Sequence, residues 1–199
     1  MPLVGDPPRL GKLAIQTHTF ANGLMLACVE QRNLPIVDVE IVVRAGAAWD
    51  EPVRAGRAFM AAEMLDEGTR TRDVLQIADA MDFLGAHLGL HAGWDSTVAG
   101  LHVLSHRLGA ALDVVFDVLL DPSFPPVEFE RKRRERMSAL QQEHDDARIT
   151  ANQTLTLGIF GPDHPYGMPI GGTARSLAAL SLPEVQQLYH THFVPANTF

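Results

Sequence analysis

Cysteine is nearly absent: Cys28 is the only one in 199 residues. A single thiol closes no internal disulfide and builds no cysteine-based zinc cluster. Cys28 lies in LMLACVE, where it reads as a buried strand residue. Positive charge is in deficit, with 16 Lys and Arg against 24 Asp and Glu and a formal net charge of −8 at pH 7. That balance excludes a broad nucleic-acid surface. No apolar run approaches the roughly 18–20 residues of a membrane span, and the opening MPLVGDPPRLGK has no apolar signal-peptide core. The serine-hydrolase elbow G-x-S-x-G is missing. GPDHPYGMPIGG (161–172) has neither the P-loop Lys-Ser/Thr nor the dinucleotide glycine spacing.

What is present is an ordinary globular composition, 46% hydrophobic and 20% charged, long enough for one sizeable core. Residues 1–12 read as a loose arm. Two strands meet at Asn22 and Gly23, a hairpin signal. Val37, Val39, Ile41 and Val43 alternate onto one face of a further strand. AGRAFMAAEMLDEGT (55–69) predicts a short helix closed by Gly68 and Thr69. A second helix follows over about 73–84, with Val74, Ile77, Ala78, Met81 and Leu84 as its buried stripe. AHLGLHA and DSTVAGLHVL form a strand pair around Gly93 and Trp94. Ser105 caps a helix that points Leu108, Leu112, Val115 and Leu119 inward.

Pro125 and Pro126 open a long charged helix with the stripe Phe129, Met137 and Leu140. Its basic run FERKRRERM (129–137) is interleaved with Glu130 and Glu135 and reads as a solvated face. Another helix covers about 148–160. Ser181 and Glu184 form a capping box for a last helix that buries Val185, Leu188, Tyr189 and His192. An extended segment begins in VPANTF. Strands early and helices late predict an α/β (α+β) fold, a mixed, largely antiparallel sheet covered on one face by helices.

Five stretches in order resemble one family, the insulinase/pitrilysin-type (inverzincin, processing-peptidase-like) zinc metallopeptidases. They are FANGLMLACVEQRNLPIVDVEIVVRAGAAWDEP (20–52), the helix 56–69, GAHLGLHAGWDSTVAGLHVLSHRL (85–108), LLDPSFPPVEFER (119–131) and HPYGMPIGGTARSLAALSLPEVQQLYHTHFVPAN (164–197). The resemblance runs over about 15–199. It implies one peptidase-like domain over 13–199, a fragment of a longer two-domain chain, and a clam-like chamber built from such domains.

In the family a helix carries His-x-x-Glu-His. Histidines at i and i+4 share a helix face and a metal, and the glutamate beside them takes a proton from the metal-bound water. Laid on this sequence, those positions are Phe59, Ala62 and Glu63. Phe59 has no lone pair to offer and Ala62 cannot move a proton. The family's third ligand, a glutamate on a later helix, falls on Ser138-Ala139-Leu140, with Glu135 and Glu143 about one turn to either side. The resemblance therefore implies a degenerate site with no catalytic residue and no bound metal, although active relatives use zinc. Packing explains the replacements, and Glu63, Asp66 and Glu67 read as a solvated helix end. Among other histidines, His87 and His91 share a strand face but sit roughly 13 Å apart, too far for one metal. His102 and His106 straddle a strand-to-helix junction.

The family binds extended peptides on an edge strand, which here corresponds to His87, Leu88, Gly89, Leu90 and His91. The usual Asn-Ala pair is replaced by Gly89 and Leu90. Asp95 and Thr97 read as hairpin geometry. The expectation is a non-catalytic peptidase-like domain that helps form a peptide-binding chamber. Its partners would be the second half of its own chain and a zinc-bearing peptidase-like partner or a second copy, with unfolded peptides as ligands. Nucleic acid and a membrane span are not expected, and the compartment would be the bacterial periplasm or cytoplasm. Two alternatives stand beside it: an active zinc metalloendopeptidase with relocated ligands, and a structural core subunit of a larger complex.

Overall fold

A hairpin opens the fold. β1 (Ile15–Thr19) and β2 (Met25–Val29) pair antiparallel, with Ile15 opposite Val29 and Thr19 opposite Met25. Gly23 takes φ +87° in the turn, a left-handed conformation that glycine adopts without strain. The Asn22 side chain accepts from the Leu24 N–H at 3.2 Å. The computed structural model describes residues 14–199, so the arm expected over 1–12 lies outside the described residues. No residue of β2 is buried, and Cys28 is exposed. The expectation of a buried Cys28 is thereby corrected: its apolar neighbours make a strand, but among the described residues no helix covers this hairpin.

The alternating valines build β3 (Ile36–Val43). β4 (His87–Ala92) and β5 (Thr97–Leu104) follow, and the three strands form an antiparallel sheet in the order β3-β5-β4. Asp38, His102 and His87 stand in one row across it. β5 buries Thr97, Ala99, Leu101 and Val103 and leaves the alternate residues less covered. One face therefore meets the helices and the other does not, as the period-two pattern requires.

Among the described residues seven α-helices follow or interleave with these strands: α1 (Arg57–Met64), α2 (Val74–Leu84), α3 (Leu108–Leu120), α4 (Pro126–Asp145), α5 (Ala147–Phe160), α6 (Ala174–Ala179) and α7 (Leu182–His192). Their starts follow local chemistry. Asp73 and Gln76 close a capping box on α2, Thr173 and Ser176 do so on α6, and Ser181 and Glu184 on α7. Such caps satisfy N–H groups that the helix itself leaves without acceptors. In α2, Ile77, Met81 and Leu84 are buried. Ala78 is exposed and Ala80 packs on the core instead, because the buried arc is narrower than the sequence pattern suggested. His192 is half-buried and packs its ring 4.8 Å from Trp49.

One hydrophobic core joins Met60, Met64 and Leu65, the inward side chains of β5, and Val114, Val115 and Val118 of α3 with Leu177, Val185 and Leu188. Tyr189 is buried in it and donates its hydroxyl to the Leu119 carbonyl at 2.8 Å, which satisfies the one polar atom it brings inside. α5 buries no side chain at all. Leu155, Leu157, Ile159 and Phe160 remain 61%, 44%, 65% and 43% exposed.

The turn after β3 is clamped to the β4–β5 hairpin. Ala47 and Ala48 donate to the carbonyls of Gly93 and Trp94 at 2.9 and 2.8 Å. A Cβ on Gly46 would lie 2.5 Å from both of those carbonyl oxygens. Gly46→Ala is expected to lower stability by about 1–3 kcal/mol, the usual cost of overpacking. In urea denaturation the midpoint should fall with the slope unchanged.

Candidate functional site

α1 is a helix of small and apolar residues because it runs through the interior. Ala58, Met60, Ala61, Ala62 and Met64 are all buried, and it lies against α7, β4 and α4. Its entry is a close approach of two backbones. Gly56 sits at φ +93°, and a Cβ there would come within 3.0 Å of Gly172. Asp50 holds the free N–H groups of the first turn, accepting from Gly56 at 3.0 Å and Ala58 at 3.2 Å, and also from Arg57. Burial pushes the Asp50 carboxyl up to about 6, against the pull of those N–H groups and of Arg57.

The positions that would carry a metal-binding motif lie on the α1 face toward α4. Ala62 is buried, and Phe59 is half-buried and packs on the core. The Arg136 guanidinium lies 5.1 Å from the centre of the Phe59 ring, a cation–π contact. Arg136 is held there by Glu143 at 2.5 Å and by the Gly171 carbonyl at 3.0 Å. Glycine at 171 makes this possible, since a Cβ would lie 2.4 Å from the guanidinium. One turn along α1, Glu63 accepts from Lys132 at 3.1 Å. Lys132 also reaches Glu67 at 3.0 Å, and Arg131 bonds Glu67, Glu128 and Glu135.

Two sequence expectations are corrected here. Glu67 is buried, at 6% exposure, so the acidic end of α1 is not a solvated helix end. The basic run of α4 is not a solvated face either. The Lys132 and Arg136 side chains are only 19% and 12% exposed and tie α4 to α1 and to the 171 loop. The interleaved acids hid this: the i, i+3 and i, i+4 partners Glu128 and Glu135 are there, but the cations also reach across to α1.

Burial raises the Glu67 carboxyl, yet Arg131 and Lys132 outweigh it and hold its pKa below the usual value. Burial likewise lowers Lys132, and Glu67 and Glu63 outweigh it, so its pKa is raised. Asp66 is raised, chiefly by burial, with Lys132 pulling the other way.

These residues do not suit a zinc ion. A catalytic zinc takes three protein donors and keeps one open position. Phe59 and Ala62 offer no donor, and the Glu63 carboxylate already faces an ammonium group. Ser138, Ala139 and Leu140 bring no carboxylate, and Glu143 is engaged by Arg136. Among the described residues no group of three or more His, Cys, Asp or Glu is placed to hold a metal ion.

The other candidate residues lie apart from this seam or at its margin. His87 and His91 are exposed on β4, at the edge of the sheet. His102 leans the opposite way, its Nδ1 2.6 Å from Asp38. Thr97 donates to the Ala45 carbonyl at 2.8 Å, and Asp95 accepts from the Tyr166 hydroxyl at 2.6 Å. In an antiparallel ladder the backbone groups of alternate residues face alternate sides. His87, Gly89 and His91 bond to β5, which leaves the N–H and C=O of Leu88 and Leu90 on the open edge. Their side chains pack on the core, beside α1.

The sequence model of the family described as Insulinase (Peptidase family M16) matches residues 26–162, more than half of the chain. The chain belongs to the insulinase family, peptidase family M16. An uncharacterized zinc protease of Mycobacterium bovis is 27% identical over 183 residues, covering 92% of this chain and 42% of that protein. One from Rickettsia bellii is 23% identical over 178 residues, covering 89% of this chain and 43% of its own length. The chain thus spans less than half the length of these relatives. Among solved structures, one described as the peptidase M16 inactive domain from Pseudomonas fluorescens superposes with a TM-score of 0.88 at 28% identity, covering 94% of this chain and 45% of that one. A protease from Helicobacter pylori shares the fold, with a TM-score of 0.83 at 16% identity over 94% of this chain and 45% of its own. The α/β architecture read from the sequence is the M16 domain fold. Among the described residues no helix is long and apolar enough to cross a membrane.

Two measurements check the electrostatics of the seam. Glu67→Ala leaves Lys132 and Arg131 without their buried acceptor and is expected to cost about 2–3 kcal/mol in a urea titration. Asp50 has the opposite pH signature to Glu67. Its raised pKa means that the fold favours the neutral acid, so its contribution is full below pH about 4 and is lost as the pH rises through about 6. Wild type should therefore lose stability relative to Asp50→Asn between pH 4 and 6.5, read as a falling difference in urea midpoint.

Proposed function

We propose that this chain is a non-catalytic M16 domain that forms one wall of a peptide-holding chamber. The observation that supports the reading is the α1–α4 seam: side-chain cations, Arg136 over Phe59 and Lys132 between Glu63 and Glu67, lie against the positions that the family resemblance assigns to the metal motif. The description of the Pseudomonas fluorescens relative as an inactive domain agrees with it. The rest of the chamber would come from the second half of the full-length chain and from a zinc-bearing partner or a second copy. The exposed apolar side chains of α5 support such a covering body, since a helix that buries nothing in its own domain commonly meets another.

Peptide would be held by strand addition to β4, through the N–H and C=O of Leu88 and Leu90. That mode draws its affinity from main-chain hydrogen bonds and needs a free edge more than particular side chains. His87, Gly89 and His91 would lie on the outer sheet face, where Gly89 leaves the surface low.

Metal content and cleavage test the reading together. The purified protein should hold far less than one zinc per chain after dialysis and should not cleave unfolded peptides alone. Added zinc-bearing partner should associate with it and raise cleavage. One tightly held zinc per chain, lost in Glu63→Ala together with a peptidase activity, would establish relocated ligands instead. Stable assembly with no slowing of Leu88 and Leu90 amide exchange on adding an unfolded peptide would mark a structural subunit.

A further inference from the structure

Two glycines face each other in the sheet, and the backbone of neither requires a glycine. Gly89 of β4 is paired with Gly100 of β5. Neither takes a positive φ, so neither conformation excludes a side chain. Space does not exclude one either. A Cβ on Gly89 would meet the His87 Nε2 at 3.9 Å, and one on Gly100 the Gly89 carbonyl oxygen at 3.9 Å, both ordinary van der Waals distances. Glycine inside a strand weakens it and gives up side-chain contacts, and it often marks a place where a ligand or another backbone comes close. Side by side, these two leave a strip of bare backbone two strands wide.

The strip lies on the sheet face turned away from the helices, since β5 buries the alternate residues Ala99, Leu101 and Val103. Glu40 of β3 stands at the far end of its row. On one side runs the row Asp38, His102 and His87, and on the other the row Val42, Val98 and His91. At the usual rise these flanking rows are roughly 13 Å apart. The strip is therefore a shallow trough, floored by peptide planes and walled on β4 by the exposed His87 and His91. It opens onto the edge of β4, where Gly89 lies between Leu88 and Leu90. In an antiparallel peptide added to this edge, the residue opposite Gly89 makes the closer, non-hydrogen-bonded kind of pair. Directly opposite residues share a sheet face, so its side chain enters the trough.

We propose that the trough is a subsite for an aromatic side chain, and that the β4 edge selects extended peptides carrying Phe, Tyr or Trp opposite Gly89. The inference rests on the peptide-holding reading and adds a side-chain preference, which main-chain pairing alone does not supply. Three features point to this class. An aromatic ring laid across a strand glycine covers the backbone that the glycine leaves bare, a pairing that rescues such positions in sheets. The strip reaches across two strands, about 10 Å from the peptide backbone to β5, so a long flat side chain covers more of it than Val or Leu. An acidic side chain would instead be directed toward Glu40 at the end of the row. Gly89 thus determines specificity through the space it leaves open.

Calorimetric titration of the full-length protein with a short unstructured Ser- and Gln-based peptide, varied at one central position, tests the subsite. Phe, Tyr or Trp there should bind about 5–30-fold tighter than Ala, with Leu and Lys closer to Ala than to Phe. Gly89→Thr and Gly100→Thr both have room for the new side chain and bring a better strand former, so both should keep or raise the urea midpoint. In each variant the aromatic preference should fall to within about twofold of Ala, while the peptides still slow amide exchange at Leu88 and Leu90. Gly100 lies one strand in from the edge, so its substitution leaves the peptide main chain alone and reads the trough by itself. Equal binding whatever the central residue, or a preference for Lys, would overturn the subsite and leave strand addition standing. A preference that survives both substitutions would put the aromatic contact elsewhere and overturn it as well. If no peptide slows exchange at Leu88 and Leu90, the peptide-holding reading itself fails and the subsite falls with it.

Discussion

The fold turns on a helix that carries carboxylates into its interior. α1 buries five of its eight residues, and the segment just after it ends in the buried Glu67. A carboxylate out of water is costly unless it is paired and hydrogen-bonded. Arg131 and Lys132 meet that demand from α4, and the same pairing fixes where α4 lies against α1. The position of the long helix is thus decided by the charge that α1 brings inside as well as by Phe129, Met137 and Leu140 along its apolar stripe.

That pairing bears directly on chemistry. The seam between α1 and α4 is filled from both sides, by Phe59 and Ala62 from one helix and by Arg136 and Lys132 from the other. Each side-chain cation there already faces a carboxylate, Glu143 for Arg136 and Glu63 with Glu67 for Lys132. A site arranged this way has little free charge with which to bind or polarise a ligand. The backbone edges at the two sides of the sheet are different in kind. Among the described residues they present N–H and C=O groups not paired within the sheet, and those groups suit another strand whatever its side chains.

Much of the fold was legible in the sequence because its signals are local. The Asn22-Gly23 turn, the alternating valines of β3, and the capping box at Ser181 each depend on contacts within a few residues. The candidate site was legible in a negative sense, since Phe59, Ala62 and Glu63 name groups that lack the chemistry expected there. Arg136 was not legible as a partner of Phe59. The contact spans 77 positions along the chain, the difference between 59 and 136, and no short-range pattern announces it. The burial of Glu67 and the exposure of Cys28 were misread for the same reason: each depends on what another element does or does not place over it.

The sequence by itself determined the family, the order and type of most elements, α6 excepted, and which side chains stand at the motif positions. All of these follow from local periodicity, turn chemistry and residue identity. Only the tertiary structure decided that the basic run of α4 closes on α1 through Lys132, Arg131 and Arg136, and that residues 197–199 lie between β2 and β3. Those are long-range pairings, in which charge and backbone hydrogen-bonding groups find partners that the chain brings together only when it is folded.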